Sequence, residues 1–190
     1  MIAQFPPIIL ASKSPRRQEL LKLMGIDFRV VLKEVDESYP SGLTPAEIAL
    51  FIAEKKAKAF SLESDDHIVI TADTIVALNC EILGKPADKA HAQEMLSKLS
   101  GKKHEVYTGV SLVKGTKIYS FYDVTEVYCR AVTDIEIDFY IENFQPFDKA
   151  GSYGVQDWWG QVVVKRINGS YTNVMGLPTE KLYGELLGFM

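Results

Sequence analysis

Short apolar runs alternate along the chain with amphipathic segments, a pattern typical of strands that alternate with helices. The β-branched run at residues 67–78 predicts a long strand, and the β-rich region behind it has a hairpin turn at Lys114 and Gly115. The predicted strands and strand-rich regions are residues 8–11, 28–31, 67–78, 104–132 and 162–167.

Helix signals lie between these apolar runs. Ser14 is a favourable N-cap, Pro15 suits the first helical position, and Gly25 suits the C-terminal stop. Capping boxes begin at Thr44 and at Thr133. The predicted helices cover residues 15–24, 45–62, 87–99, 134–143 and 178–190, and residues 145–160 are expected to form a loop rich in glycine and aromatic residues.

These elements indicate an α/β chain with a mixed sheet. A length of 190 residues suits one compact domain with a sizeable core, and two lobes can form such a domain. The sequence contains no internal repeat and no linker that would force a division. We therefore expect a single domain over residues 1–190.

Composition narrows the classes of function. The net charge of −4 provides no global basic field for nucleic acid. The N-terminus lacks the pattern of a signal peptide, and the apolar runs are too short to span a bilayer. Cys80 and Cys129 form neither a CxxC pair nor a disulfide framework, which fits a reducing compartment. These features predict a cytoplasmic protein that binds neither nucleic acid nor membrane.

Four polar residues lie where the first predicted strand turns into the first predicted helix, namely Ser12, Ser14, Arg16 and Arg17. A helix N-terminus presents free N–H groups and the positive end of the helix dipole. Two hydroxyls and two guanidiniums beside it would form a phosphate site. An ordinary capped helix with two solvated arginines would have the same residues, and no Walker A sequence occurs.

Asp73 and Thr74 fall inside the third predicted strand, so Asp73 is expected to be partly buried. A buried carboxylate needs partners, because otherwise its pKa rises. Metal binding or general-base catalysis would account for a carboxylate in this place. The alternative is a structural carboxylate that caps a neighbouring loop.

Three further charged residues, Glu37, Lys56 and Lys85, are scattered along the chain. Each alone is compatible with a solvated surface charge. Together they match what phosphoryl transfer requires, since phosphates need cations and Mg²⁺ needs carboxylates. Their spacing does not establish that they converge.

Gln156 ends a segment, residues 148–156, that contains two glycines. Glycine permits tight backbone turns and a close approach of a ligand, and the Gln156 amide could read the edge of a base. A structural turn would use the same residues.

In this order, these motifs resemble the Maf-like nucleotide pyrophosphatase family over essentially the whole chain. The first and most extended stretches are LASKSPRR at residues 10–17 and KAGSYGVQ at residues 149–156. The other matching stretches are residues 35–37, 56–57, 72–76, 84–86, 99–101, 167–171 and 174–178.

The resemblance implies an elongated α/β fold with a central mixed sheet, flanking helices and a cleft between two lobes, as in the Maf and ITPase folds. It implies hydrolysis of a nucleoside triphosphate between its α- and β-phosphates with a divalent cation, Mg²⁺ or Mn²⁺. Asp73 matches the catalytic carboxylate, and Asp73 with Glu37 would hold the metal. By position, the other active-site charges are Glu37, Lys56 and Lys85, and the substrate-binding residues are Ser12, Ser14, Arg16, Arg17, Thr74 and Gln156.

Within the family, the chain resembles the dTTP/UTP branch. The branch that resembles m7GTP pyrophosphatases carries a tryptophan after the proline, where this chain has Arg16, and glutamine where it has Thr74. A pyrophosphatase for modified nucleotides would use the same phosphate site. The rival from another class is a non-enzymatic nucleotide-binding regulator of cell division or septum formation. The resemblance also makes a homodimer plausible, to which Trp158 or Trp159 could contribute.

Overall fold

The computed structural model describes residues 5–60 and 63–189. Its strands are Ile8–Leu10 (β1), Phe28–Val30 (β2), Ile68–Leu78 (β3), Glu81–Leu83 (β4), Lys103–Lys114 (β5), Lys117–Cys129 (β6) and Val164–Asn168 (β7). Its α-helices are Pro15–Leu23 (α1), Pro45–Lys58 (α2), Lys89–Leu99 (α3), Asp134–Phe144 (α4), Trp158–Val162 (α5), Tyr171–Met175 (α6) and Thr179–Phe189 (α7), and two short 3-10 helices span Pro146–Asp148 and Ala150–Ser152.

The long predicted helices and strands are confirmed, whereas several short elements were not predicted from the sequence pattern. β4, α5 and α6 were not predicted, and the predicted loop at residues 145–160 contains both 3-10 helices and the start of α5. α2 ends at Lys58, and the predicted helix end at Leu62 lies outside the described residues.

Side-chain caps fix two of the helix starts as predicted. Thr44 and Thr133 each accept a hydrogen bond from the third residue of their helix, whose glutamate side chain binds back to the cap backbone. Ser14 differs, because its side chain makes no capping hydrogen bond within the described part of α1. Instead its backbone N–H donates to the Ser12 hydroxyl at 3.2 Å. Ser12 therefore holds the entry to α1.

The strands form one mixed sheet, in the order β2-β1-β3-β5-β6-β7 with β4 attached to β3. β1 is parallel to β2 and β3, and the remaining pairs are antiparallel. The α/β class and the mixed central sheet flanked by helices are thus as predicted. No helix among residues 5–60 and 63–189 is both long enough and apolar enough to cross a bilayer.

One edge of β3 is interrupted. On this edge, residues 68–70 pair with β1 and residues 76–78 pair with β4. The other edge pairs with β5 without a break from Val69 to Ala77. Residues 71–75 therefore have no neighbouring strand on the first edge within the described chain, and the loops that follow β1 and β4 flank this opening.

The two largest apolar cores of the described chain lie one behind the other along the long strands, and each defines a lobe. The first packs α1 and α7 against the beginning of β3, where Ile70 and Ala72 are buried. The second packs α3, α4 and α5 against its end, at Val76 and Leu78. α2 packs elsewhere on β3 and β5. The interrupted edge lies where β3 passes from one lobe to the other.

The two tryptophans belong mainly to the second core. Trp159 has no exposed surface, and its ring lies 5.4 Å from that of Tyr140. Trp158 is partly buried and stacks on the same tyrosine at 6.2 Å. The interpretation of an exposed Trp159 at a dimer interface is therefore wrong, because its indole fills the lobe interior.

Candidate active site

The interrupted edge of β3 opens into a cleft of about 1120 Å³. Asp73 and Thr74 lie in the middle of the opening, on consecutive positions of the strand. The structure brings all the sequence-predicted site residues to this cleft, although their individual roles stay predictions. They are Ser12, Ser14, Arg16, Arg17, Glu37, Lys56, Asp73, Thr74, Lys85 and Gln156.

A lysine joins the two predicted carboxylates. The Lys56 Nζ lies 2.7 Å from Asp73 Oδ1 and 2.9 Å from Glu37 Oε1. The side chains of Lys56 and Asp73 are only 15% and 14% exposed, so little water screens this pair. Lys56 lies in the last turn of α2, and the packing of that helix on β3 brings the ammonium to the strand.

Charge keeps the more exposed carboxylate ionised. Burial alone would raise the pKa of Glu37, but the hydrogen bond and charge of Lys56, with the charges of Lys85 and Arg17, bring the pKa below its usual value. Two carboxylates that meet at one cation form a donor set that suits a hard divalent ion, because Mg²⁺ in nucleotide sites uses one or two carboxylates with water and phosphate oxygens. Within the described chain, no group of three or more histidine, cysteine or acidic side chains is arranged to hold a metal.

Arg17 is held from three sides on the first turn of α1. Its Nε donates to the Gly176 carbonyl at 2.7 Å, and its two terminal nitrogens donate to the Thr74 hydroxyl at 2.9 Å and the Ser12 hydroxyl at 3.4 Å. Burial lowers the pKa of the guanidinium, while the charge of Asp73 opposes that shift. The arginine is thus a fixed cation at the wall of the cleft.

Arg16 faces the other lobe. Its guanidinium pairs with Asp148 at 3.0 Å, and the neighbouring Lys149 Nζ lies 2.9 Å from the other oxygen of the same carboxylate. Lys13 and Lys85 are exposed at the cleft wall. Among the described residues that line the cleft, seven side chains are cationic and five are acidic. The cleft is therefore locally positive although the whole chain is acidic, and it suits a polyanion.

Gln156 presents an unpaired acceptor at the cleft. Its Oε1 is buried and has no hydrogen-bond partner within the described chain. The segment before it is held in place, because the Gly154 N–H donates to the Tyr140 hydroxyl at 2.9 Å and the Tyr153 hydroxyl lies 2.7 Å from His104 Nε2. A ligand N–H group would satisfy the free oxygen.

Gly151 shapes the same segment. Its φ of +68° is in the left-handed region, and a Cβ at this position would lie 2.9 Å from a methyl group of Val76. Glycine is therefore required here for both its backbone angle and its size. It lets the segment pass directly over the end of β3 and so brings Gln156 to the cleft.

Comparison with known proteins identifies the family of this chain. The sequence model of the Maf-like protein family matches residues 7–189. The chain belongs to the Maf family. It is 49% identical over 179 residues to a dTTP/UTP pyrophosphatase of Cytophaga hutchinsonii, a match that covers 94% of this chain and 82% of the relative. It is also 50% identical to a protein of that name from Bacteroides thetaiotaomicron, with 94% of both chains covered, and 48% identical to one from Bacillus anthracis, with 96% of this chain and 95% of the relative covered.

Solved structures of low sequence identity share the fold of this Maf-family chain. A HAM1 protein from Coxiella burnetii superposes with a TM-score of 0.53 at 17% identity, over 96% of this chain and 99% of the other. The Ham1 protein of Staphylococcus aureus gives a TM-score of 0.50 at 17% identity, over 97% and 100%. These matches support the fold class predicted from the sequence.

Asp148 and Lys149 are two charged residues of the Maf-family cleft that the sequence analysis included in a candidate segment but to which it gave no role of their own. Asp148 and Lys149 lie at the start of the segment that carries Gln156, and together with Arg16 they connect the two lobes across the mouth of the cleft. Their position next to Gly151 was the available signal. Nothing in the spacing of residues 16 and 148 indicates that the two charges meet.

Proposed function

We propose that this Maf-family protein is a nucleoside triphosphate pyrophosphatase that hydrolyses dTTP and UTP to the monophosphate and pyrophosphate. The observation that carries the proposal is the meeting of Asp73, Glu37 and Lys56 at an open strand edge, beside the fixed cation Arg17. Binding alone does not need a partly buried carboxylate that can activate water. The names of the relatives that are about half identical support the same reaction and substrates.

In this proposal, the triphosphate lies along the loop between β1 and α1. The Ser12 and Ser14 hydroxyls and the N-terminus of α1 are available to the phosphate oxygens, and Arg16 and Arg17 neutralise their charge. Lys85 adds a cation from the far side of the opening. The Gln156 Oε1 accepts a hydrogen bond from the N3–H of thymine or uracil, the donor on the edge of both bases.

Asp73 accepts a proton from the attacking water. One Asp73 oxygen accepts a hydrogen bond from Lys56, and the other has no hydrogen-bond partner among the described residues, so it can act as the base. The water oxygen forms a bond to the α-phosphorus, the bond from that phosphorus to the bridging oxygen breaks, and pyrophosphate leaves with the bonding electrons. Asp73 and Glu37 would hold Mg²⁺ or Mn²⁺, which when bound supplies charge neutralisation for the phosphates.

The proposal extends to the state of the protein in the cell. We place the protein in the cytoplasm, as one domain over residues 1–190. We also propose that it forms a homodimer. The cysteines support a reducing compartment, since Cys80 and Cys129 are both free thiols. Partly buried Trp158 stays available to an interface, whereas Trp159 does not.

Pyrophosphate release from a panel of common and modified nucleoside triphosphates tests the reaction. We expect release from dTTP and UTP with Mg²⁺ or Mn²⁺, and no release when EDTA removes the metal. Preferred release from other nucleotides would keep the reaction and contradict the assignment of the base. No release by protein with a cooperative unfolding transition would favour the regulator of cell division instead.

Gln156→Ala is expected to change the preference among nucleotides and to leave the fold intact. Because the buried amide oxygen has no hydrogen-bond partner within the described chain, its loss is expected to remove a contact to the base and no hydrogen bond of the fold. The ratio of kcat/KM for dTTP to that for a purine nucleotide should fall by about tenfold or more. Gln161→Ala, in the exposed part of α5, is the matched control. An unchanged ranking would exclude a base-reading role.

A further inference from the structure

A buried polar band separates the two apolar cores on one face of the sheet. It consists of Thr74 on β3, Thr108 on β5, Thr125 on β6 and Asn173 on α6. Thr108, Thr125 and Asn173 have no exposed surface. Thr74 and Thr108 are opposite each other in the sheet register. Buried polar groups cost stability unless they are hydrogen-bonded. The hydrogen-bond partners of these four residues therefore indicate what the band does.

The hydrogen bonds through the band run in one direction. Arg17 can only donate, and the Thr74 hydroxyl accepts its bond at 2.9 Å. At the other end the carbonyl of Asn173 can only accept, so the Thr108 hydroxyl donates to it at 3.0 Å. The bond between the Thr74 and Thr108 hydroxyls, at 3.0 Å, must then be donated by Thr74, since the Thr108 proton is already used.

The far end of this chain of bonds is fixed. The Asn173 side-chain amide donates to the Val106 carbonyl at 3.0 Å and to the Thr125 hydroxyl at 2.9 Å. Gly176 caps the C-terminal end of the same short helix, and its carbonyl accepts a hydrogen bond from the Arg17 Nε–H at 2.7 Å. α6 therefore holds the guanidinium twice, once directly and once through two threonines.

We propose that Thr108 is a positioning residue that fixes the orientation of Arg17 through Thr74. This inference rests on the proposed function in so far as Arg17 binds phosphate there. It also narrows the role of Thr74. The proton of its hydroxyl is committed to Thr108, so Thr74 meets a ligand as an acceptor only, and its main task is to hold the arginine. An arginine held in this way meets the phosphate without first losing side-chain freedom.

The direct test follows the Arg17 Nε–H by nitrogen-15 NMR in protein without nucleotide, with Arg17→Lys used to assign the signal. Thr108→Val keeps the size of the side chain and removes the hydroxyl. We expect its Arg17 Nε–H to exchange with water at least about tenfold faster than in the wild type, because the fixed geometry is lost. Thr108→Ser restores the hydroxyl and should restore slow exchange.

Thr71→Val is the matched control. Thr71 is a fully buried threonine on β3 whose hydroxyl donates to the Ala53 carbonyl at 2.7 Å, outside the band. Thr71→Val removes a buried threonine hydroxyl and its hydrogen bond, as Thr108→Val removes a hydroxyl with two, but it should leave the Arg17 signal unchanged. If both valine variants speed the exchange equally, or neither does, Thr108 has no specific role in positioning. Should Thr108→Val fail to fold, Thr74→Val interrupts the same chain and is judged by the same exchange rate.

Kinetics provide the second readout. Thr108→Val should lower kcat/KM for the nucleotide by about 10- to 100-fold, as small displacements of positioned groups do. In an Arg17→Lys background, Thr108→Val should lower log kcat/KM by less than about a third of the decrease that it causes in the wild type. The effect should shrink because the guanidinium that Thr108 positions is gone. Additive losses would contradict the proposal. If the wild type hydrolyses no nucleotide, the proposed function fails, while the exchange measurement still decides the role of Thr108.

Discussion

Asp73→Asn is expected to lower kcat by about 10²- to 10⁴-fold with little change in the thermal unfolding midpoint. Asparagine has the same shape but is a far weaker base, so the attacking water loses its proton acceptor. The amide oxygen can still accept the hydrogen bond that Lys56 donates at 2.7 Å. Steady-state pyrophosphate release and thermal unfolding of the same preparation measure the two effects.

Glu126→Gln is the control for this substitution. Glu126 lies in the same sheet, pairs with Lys103 at 2.7 Å and is 28% exposed, but it does not line the cleft. It should retain wild-type turnover. Substantial activity in Asp73→Asn would show that another group takes the proton, and the assignment of Asp73 as the base would have to be withdrawn.

Arg17→Lys is expected to cost about 2–4 kcal/mol of transition-state stabilisation, a loss of kcat/KM of roughly 30- to 1000-fold. The substitution conserves the positive charge, so the loss of kcat/KM reports the contribution of the arginine's contact geometry. A guanidinium contacts Gly176, Thr74 and Ser12 at once, whereas an ammonium on a flexible stem cannot hold the same fork.

Arg130→Lys provides the matched comparison for that variant. Arg130 also uses three nitrogens on three acceptors, which are the Val162 and Ala131 carbonyls and the Glu136 carboxylate, and it lies outside the cleft. Both variants should remain folded, and only Arg17→Lys should lose activity. Equal activity in both would mean that Arg17 supports the fold and does not bind phosphate.

Long elements could be predicted because their signals are local. The capping boxes at Thr44 and Thr133 start helices whose caps have the expected hydrogen bonds. The five-residue helix α6 was not predicted, because its apolar pattern is too short to show a helical period. Its end signals were present, however, since Ser170 caps it and Gly176 ends it with a φ of +112°.

The composition of the site could be predicted, but its assembly could not. The side-chain chemistry of Asp73, Lys56 and Glu37 indicated phosphoryl transfer. Only the packing of α2 on β3, however, brings the Lys56 ammonium to both carboxylates. Thr108 gave no signal at all, since a threonine in a β-rich segment is ordinary. Its importance arises from the register that places it opposite Thr74.

The shared strands also determine when the site is assembled. β3 and β5 stay paired over nine consecutive residues as they pass through both lobes. Rotation of one lobe against the other would break this ladder, so Asp73, Thr74 and Thr108 keep their separations whether or not the cleft is filled. The entropic penalty of gathering these groups is therefore incurred once, during folding, and does not recur with each catalytic cycle.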